Sequence, residues 1–282
     1  FFQKYPFVDI VVHGEGEYVL GNILKAYLKG EDFSEILGIE TKDFKNPIQP
    51  RINDFSDLPS PYLTNLIWDL VETSPKIQWV AAWETLRGCP YACTFCDWGS
   101  AIATKMRKFE EEKIMQEIEW FGKNKIPYID CCDANFGIYQ DRDMRIAKKM
   151  NEVSKEMGYP KTFHPTFAKV SSEKIIPIAK ELYDSGLLRA VTLSLQSLDP
   201  ATLKIIKRAN IKFDKFSELT ESFRNAGLPT YTEIIRGLPG ETLENFKKGL
   251  EVIVSDTKVD HLLIHNCGVF PNAPMAEPTY VE

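Results

Sequence analysis

The sequence predicts an α/β fold in which a parallel sheet curves into a partial (βα)6 TIM-like barrel, preceded by the tail of an open α/β domain. From about residue 76 onward, hydrophobic runs of strand length alternate six times with amphipathic helical stretches. Such alternation implies a parallel sheet with helices outside it, and six repeats suit a partial barrel. One strand and one helix near the N-terminus, set apart by a proline-rich stretch, predict the preceding tail.

The N-terminal strand and helix can be placed from their patterns. Val-Asp-Ile-Val-Val at 8–12 has the composition of a short buried strand. Apolar residues recur at helical spacing over 17–29, which predicts a helix, and Gly30 is expected to end it.

The stretch that follows predicts a linker. Residues 31–75 show no sustained periodicity and contain Pro47, Pro50, Pro59, Pro61 and Pro75. We therefore expect three regions: residues 1–30, a proline-rich linker over 31–75, and a barrel domain over 76–282.

The elements of the barrel are predicted from their periodicities. Strands are expected at 78–86, 126–132, 161–168, 188–196, 229–236 and 259–268. Helices are expected at 109–123, 141–157, 172–185, 200–207, 213–226 and 242–254. Ser171 or Ser172 is expected to cap the helix at 172–185, and Gly186 to end it. In barrels of this kind the active site lies at the C-terminal ends of the strands, so we expect functional residues at that edge.

Two predicted strands carry polar side chains on one face and aliphatic side chains on the other. The polar residues are Thr192, Ser194 and Gln196 in the fourth strand, and His261, His265 and Cys267 in the last. The aliphatic faces should meet the helices, so the polar faces should line the barrel interior and form a lumen that holds a polar ligand. His164, His261 and His265 are interpreted either as lumen residues near a substrate or as hydrogen-bonded structural residues.

Composition limits the classes of function. The 282 residues carry a net charge of −6, which argues against a broad nucleic-acid-binding surface. No apolar run approaches the roughly 20 residues that span a bilayer. Six cysteines, three of them in one short loop, predict a reducing compartment such as the cytoplasm. The chain begins Phe-Phe-Gln-Lys without an initiator methionine, and we expect it to be a fragment of a longer protein.

Three cysteines lie within eight residues directly after the first barrel strand. They are Cys89, Cys93 and Cys96, in the run Cys-Pro-Tyr-Ala-Cys-Thr-Phe-Cys. Thiolates suit iron–sulfur clusters and zinc. Closed sites of either kind take four ligands, so three thiolates leave one metal position open to a cofactor. A zinc site completed by Cys131, Cys132 or a histidine remains an alternative.

This C-x3-C-x2-C spacing, with Phe95 before the third cysteine, resembles the cluster loop of the radical S-adenosylmethionine (SAM) superfamily. The resemblance covers about residues 76–282 and implies a barrel of the radical SAM type. It implies that Cys89, Cys93 and Cys96 ligate a [4Fe-4S] cluster whose open iron chelates the amino and carboxylate groups of SAM. One electron from a reductant of the flavodoxin or ferredoxin type then cleaves SAM to methionine and a 5′-deoxyadenosyl radical, which abstracts hydrogen from the substrate.

The same resemblance implies a set of SAM contacts. It places Phe95 beside the adenine, Asp133 and Asn135 at the amino group, and Ser194 and Gln196 at the ribose. Arg236 follows a strand that resembles the one backing the adenine, and it could pair with the SAM carboxylate because a guanidinium suits a carboxylate bidentately. Asp133 and Asn135 could instead cap a helix, and Arg236 could form an ordinary ion pair. The chain departs from the family where many members carry glutamate at Gln196 or Ser197, and where Glu233 replaces the usual glycine.

The N-terminal region resembles a second domain. The run Val-Val-His-Gly-Glu-Gly-Glu at 11–17 resembles the last strand and loop of the cobalamin-binding domain that precedes many radical SAM domains, and Leu-Pro-Ser-Pro-Tyr at 58–62 resembles its connector. Residues 1–30 would then be the C-terminal remnant of that domain. A simple turn or a phosphate-facing loop are alternatives for the Gly-Glu-Gly run.

The subclass implies a reaction. A cobalamin-associated radical SAM enzyme is expected to transfer a methyl group to an unactivated carbon. A cyclase and a methylthiotransferase are alternatives within the superfamily, and a non-catalytic metal-binding or electron-transfer module is an alternative outside it. The predicted lumen residues do not select one substrate class.

Overall fold

The computed structural model describes residues 1–71, 74, 76–98, 103–168 and 173–281. The chain divides into two compact units, Phe1–Leu58 and Pro59–Glu282. The stretch predicted as a linker over 31–75 is therefore divided between the two units. Ser171 and Ser172, predicted as helix caps, lie outside the described residues.

The first unit contains one helix and a two-stranded antiparallel sheet. Strand β1 (Val11–Val12) pairs with β2 (Ile39–Glu40), and helix α1 (Gly16–Lys29) lies between them in the chain. Val19, Ile23 and Ile39 form its small core. Gly30 follows α1 with a φ of 69°, the left-handed conformation in which glycine commonly ends helices, so the predicted helix end is confirmed. The predicted strand at 8–12 is limited to two residues.

Among its described residues, the second unit is built on six parallel strands in two three-stranded sheets. The sheets follow chain order, β3–β6–β7 and β8–β9–β10, and a short antiparallel pair, β4 with β5, follows β3. The strands are β3 (Val80–Trp83), β4 (Leu86–Arg87), β5 (Arg107–Lys108), β6 (Tyr128–Phe136), β7 (Thr162–Phe167), β8 (Val191–Thr192), β9 (Thr230–Arg236) and β10 (His261–Asn266).

Helices connect the parallel strands, which confirms the predicted α/β alternation. They are α2 (Glu111–Lys123), α3 (Gln140–Met157), α4 (Ile176–Asp184), α5 (Pro200–Ile205), α6 (Phe213–Asn225), α7 (Leu243–Asp256) and the short α8 (Pro278–Val281). Single 3-10 turns lie at Trp68–Leu70, Glu173–Ile175 and Pro274–Ala276. Most predicted helices agree with the structure to within three residues at each end.

One hydrophobic core joins the strands to these helices. Trp83, Phe121, Phe136 and Phe163 are among its fully buried side chains, and their rings contact one another edge to face. Burying such rings supplies much of the driving force for the fold and fixes the strand ends that carry the site.

Several predicted strands differ from the structure, among them the first barrel strand, which is limited to Val80–Trp83. Strand β6 continues to Phe136, so Asp133 and Asn135 lie in the strand and not in a loop after it, and its pairing with β7 shifts register between Cys131 and Phe136. Regular pairing of β8 ends at Thr192, and Gln196 rejoins β9 only through an isolated bridge to Ile234. Ile264 of β10 is half exposed, although its face was expected to meet helices, because β10 is the edge strand of its sheet.

The polar faces predicted for the strands are confirmed at the fourth strand, where Val191, Leu193 and Leu195 are buried while the alternating polar residues are partly accessible. No helix among the described residues is long and apolar enough to cross a membrane.

Candidate active site

The cysteine loop is closed at its base by the β4–β5 pair. Leu86 pairs with Lys108 and Arg87 with Arg107, so the chain between them forms a loop at the C-terminal end of β3. Gly88 opens this loop with a φ of 114°, and a Cβ added there would lie 2.5 Å from the Lys105 carbonyl oxygen. The neighbouring atom is backbone and cannot swing away, so this position requires glycine.

Backbone hydrogen bonds hold the loop that carries the thiols. Thr104 N donates to the Cys89 carbonyl at 2.8 Å, and Cys96 N donates to the Cys93 carbonyl at 3.2 Å. Between the second and third cysteines, Thr94 N donates to the Ile206 carbonyl at 3.0 Å, which ties the loop to the end of α5. Cys89 and Cys93 are buried, and Cys96 is half-buried.

Within the described part of the chain, no three His, Cys, Asp or Glu side chains are grouped closely enough to hold a single metal ion.

Cys131 is one of the residues considered as a fourth ligand for zinc. It is buried on the helix-facing side of β6, where burial raises the pKa of its thiol well above the usual range. Cys132 lies on the opposite face and is half-buried.

Two polar side chains contact the sulfurs of the two buried cysteines of the loop. Asn135 Nδ2 donates to Cys89 Sγ at 3.3 Å, and Arg208 Nη1 lies 4.0 Å from Cys93 Sγ. Arg208 also donates from Nη2 to the Ser194 carbonyl at 2.5 Å and from Nε to Asn210 Oδ1 at 2.8 Å. Burial lowers the pKa of Arg208, although the two neighbouring cysteines oppose that effect.

Arg208 is a site residue that the sequence interpretation missed. In the sequence it is an ordinary basic residue after a short helix, beside Lys207. Its burial against Cys93 arises only from the tertiary fold. A cation placed here favours negative charge at the thiolates.

Asp133 contacts the base of the cysteine loop. Its Oδ1 accepts hydrogen bonds from Thr85 N at 2.7 Å and Leu86 N at 2.9 Å, and its Oδ2 accepts one from the Thr85 hydroxyl. Arg142 Nη2 donates to the Thr85 carbonyl at 2.6 Å from the other side. Burial raises the pKa of Asp133 from 3.8 to about 6, against the effect of these hydrogen bonds.

Near the ends of β8, β9 and β10, three polar side chains are linked by polar contacts. Ser194 Oγ donates to Glu233 Oε2 at 2.6 Å, and His265 Nε2 lies 3.4 Å from Glu233 Oε1. The predicted lumen residue His265 therefore lies against a carboxylate, and the Ser194 hydroxyl is engaged with the same group. Arg236, at the end of β9, donates to Asn266 Oδ1 at 2.7 Å.

A second carboxylate–imidazole pair lies on the matching face of the first sheet. His164 Nδ1 lies 2.9 Å from Asp130 Oδ1, and both side chains are about half exposed. Burial raises the pKa of Tyr128, and the nearby Asp130 and Tyr231 add to the rise. Because Tyr128 lies on β6 and Tyr231 on β9, the polar faces of the two sheets are turned toward the same space.

Two buried hydrogen-bond acceptors bear on whether the site fits SAM. Asn135 Oδ1 and Gln196 Oε1 have no hydrogen-bond partner among the described residues. Gln196 also has a φ of 66°, which is uncommon for a residue other than glycine. Unpaired buried acceptors are costly, and strained residues cluster at functional sites. SAM carries an ammonium group and ribose hydroxyls that can donate, so the residues present fit it. Phe95 is half-buried in the same loop.

Comparisons with known proteins agree with this geometry. The family model described as the radical SAM superfamily matches residues 83–253. The cobalamin-dependent radical SAM methyltransferase TokK of Streptomyces tokunonensis is 38% identical over all of this chain, and the chain covers 42% of TokK. The 2-(S-pantetheinyl)-carbapenam-3-carboxylate methyltransferase of Streptantibioticus cattleyicolor is 36% identical over 99% of the chain, which again covers 42% of that protein.

Solved structures share the fold at lower identity. The radical SAM methyltransferase TsrM from Kitasatospora setae superposes with a TM-score of 0.71 at 17% identity, covering 96% of this chain and 54% of TsrM. The cobalamin-dependent SAM radical enzyme OxsB gives a TM-score of 0.64 at 18% identity, covering 99% of this chain and 39% of OxsB.

Proposed function

The chain belongs to the radical SAM superfamily, and we propose that the whole protein is a cobalamin-dependent methyltransferase that transfers a methyl group from SAM to a carbon atom. The three-cysteine loop, with Cys89 and Cys93 buried and the Asn135 amide 3.3 Å from Cys89 Sγ, carries the radical SAM part of this proposal. The methyl transfer is supported by the two relatives described above. The chain spans less than half the length of each, so the activity is proposed for the whole protein.

Cys89, Cys93 and Cys96 would hold a [4Fe-4S] cluster, which when bound supplies the electron for reductive cleavage of SAM. The chain's own residues protect and orient this site. Burial of Cys89 and Cys93 excludes water from two of the three ligand sulfurs. Arg208 places a buried positive charge beside Cys93 and thereby favours the thiolate form that binds iron.

The strand ends would orient SAM. Asn135 Oδ1 and Gln196 Oε1 offer two acceptors for its ammonium group and ribose hydroxyls. The proposed contacts of Phe95 with the adenine, of Ser194 with the ribose and of Arg236 with the carboxylate stay predictions. The contact of Asp133 with the amino group also stays a prediction, and its hydrogen bonds to Thr85 and Leu86 compete with it.

Cobalamin and the reductant belong to the proposal for the whole protein. We propose that residues 1–30 end a cobalamin-binding domain. We further propose a one-electron donor of the flavodoxin or ferredoxin type, and a location in the cytoplasm. Because a relative that matches 99% of this chain is named for a carbapenam, a carbapenam is the first substrate to test.

The proposal is tested by anaerobic turnover of the full-length protein with SAM, cobalamin, a one-electron reductant and 2-(S-pantetheinyl)-carbapenam-3-carboxylate. We expect 5′-deoxyadenosine, S-adenosylhomocysteine and a product heavier by one methylene group. Cys93→Ala should form none of these products, whereas Cys132→Ala, which alters a cysteine outside the loop, should still cleave SAM.

The alternatives predict other products in the same assay. A cyclase would give 5′-deoxyadenosine without S-adenosylhomocysteine, and a methylthiotransferase would add sulfur to its product. Cleavage of SAM that persists in Cys93→Ala would refute the assignment of the cysteine loop.

A further inference from the structure

Asn135 is the one described side chain whose amide donates directly to a sulfur of the cysteine loop while its oxygen stays unpaired. It is fully buried in β6, and its Nδ2 lies 3.3 Å from Cys89 Sγ. In this structure Sγ belongs to a free thiol, which stands in for the thiolate that would bind iron. A thiolate is a stronger acceptor than a thiol, so the contact should strengthen when metal is bound.

We propose that Asn135 is a positioning residue for the cluster: its Nδ2–H group stays hydrogen-bonded to the Cys89 sulfur and raises the reduction potential of the cluster. This inference rests on the proposed function, since it requires that the loop hold a four-iron cluster. It assigns to Asn135 a role in the electron-transfer step that is separate from any contact with SAM.

The orientation of the amide follows from its surroundings. If the side chain were flipped, Oδ1 would face the sulfur, and two acceptors would oppose each other in a buried place. The flip would also leave the Nδ2 donors without the sulfur as a partner, at a cost of about 1–3 kcal/mol. Asn135 itself is fully buried, which leaves its amide little access to a water that could replace the sulfur as a partner.

The effect on potential follows from charge. Reduction adds an electron to the cluster and its sulfurs, and a hydrogen bond to a ligand sulfur stabilises this more negative state. The bond lies in a buried region of low dielectric constant, where such an interaction is stronger than in water. Removing it should therefore make the reduction potential more negative.

The test is a redox titration of the cluster in the full-length protein, reconstituted anaerobically and followed by electron paramagnetic resonance without SAM. Asn135→Leu keeps a similar volume and removes the donor. Asn151→Leu is the matched control, because it removes another buried asparagine with an unpaired oxygen, one whose Nδ2 donates to Glu181 of α4 and not to a cysteine sulfur. We expect a more negative potential in Asn135→Leu and the wild-type potential in Asn151→Leu.

A second measurement needs no variant of Asn135. Wild-type protein labelled with ¹⁵N-asparagine should show a nitrogen hyperfine coupling to the reduced cluster in pulsed electron paramagnetic resonance. Absence of that coupling, or an intact Asn135→Leu cluster with the wild-type potential, would overturn the inference and leave the proposed function standing. A wild-type protein that binds no cluster would refute the proposed function and this inference together.

Discussion

The Asp133→Asn variant tests how the base of the cysteine loop is held. Asp133 lies fully buried and accepts hydrogen bonds from the backbone of Thr85 and Leu86, which immediately precede Arg87 and Gly88 at the start of the loop. Both backbone donors reach the same oxygen, Oδ1. An asparagine can keep that oxygen in place, while its Nδ2 replaces Oδ2 and donates to the Thr85 hydroxyl, which can also accept.

The size of the effect follows from two opposing contributions. Loss of charge weakens the two backbone hydrogen bonds by about 1 kcal/mol each. Against this, the variant no longer buries an ionised carboxylate. The rise of the pKa from 3.8 to about 6 corresponds to about 3 kcal/mol, because the unfolded chain releases this proton more readily than the folded protein. Near neutral pH we therefore expect Asp133→Asn to unfold with nearly the wild-type free energy, within about 1–2 kcal/mol.

The stability difference between Asp133→Asn and the wild type should depend on pH with a definite sign. The folded pKa lies above the unfolded one, so protonated Asp133 stabilises the folded state in acid, and this contribution is lost as the pH rises from about 4 through 6. Asparagine does not titrate. The stability of the variant relative to the wild type should therefore rise by about 3 kcal/mol across this interval and then level off.

Urea unfolding followed by tryptophan fluorescence over this pH range measures both quantities. Asp133→Leu is the contrasting variant, since it leaves Thr85 N and Leu86 N without a buried acceptor and should be less stable than Asp133→Asn by about 2–5 kcal/mol at every pH. A relative stability of Asp133→Asn that does not change with pH would refute the reasoning. The same variant also tests SAM: a rise in Kd of about 10-fold or more would indicate the charge-assisted contact predicted with the amino group.

Three further predictions concern the loop and the strand ends. Gly88→Ala should bind less iron on reconstitution and lose about 2–5 kcal/mol of stability, because its added Cβ meets a carbonyl oxygen. Gly21→Ala, whose added Cβ meets no atom within 4 Å, should keep both its iron and its stability. Gln196→Ala should raise the SAM Kd by about 5–30-fold, for one lost hydrogen bond, and keep its iron; an unchanged Kd would remove Gln196 from the site. Arg208→Met should lower the free energy of unfolding by about 1–3 kcal/mol, because the Ser194 carbonyl loses a buried donor; an unchanged urea midpoint would contradict this.

Much of the architecture follows from local patterns in the sequence. Helices such as Gly16–Lys29 and Glu111–Lys123 have a strong apolar periodicity, and Gly30 ends the first of them in the left-handed conformation. The spacing of the three cysteines also identifies the cluster loop, because the ligands are neighbours in the chain. The alternation of Val191, Leu193 and Leu195 with polar residues predicts the polar lumen.

Other features depend on contacts between distant residues. The sequence does not reveal that β6 continues through Asp133 and Asn135, because the register shift that permits it involves pairing with β7. Regular pairing of β8 stops early. The sequence does not indicate the positive φ of Gln196, because this residue is not a glycine. Arg208 is buried against Cys93, a residue far from it in sequence, so no local sequence pattern predicts this contact.

We propose that the three-cysteine loop holds a four-iron cluster with one iron open to SAM. Electron paramagnetic resonance of the anaerobically reconstituted and reduced protein, recorded with and without SAM, tests this directly. We expect a [4Fe-4S]⁺ signal whose shape changes when SAM is added. A protein that retains zinc and shows no cluster signal, or a cluster signal that is indifferent to SAM, would contradict it.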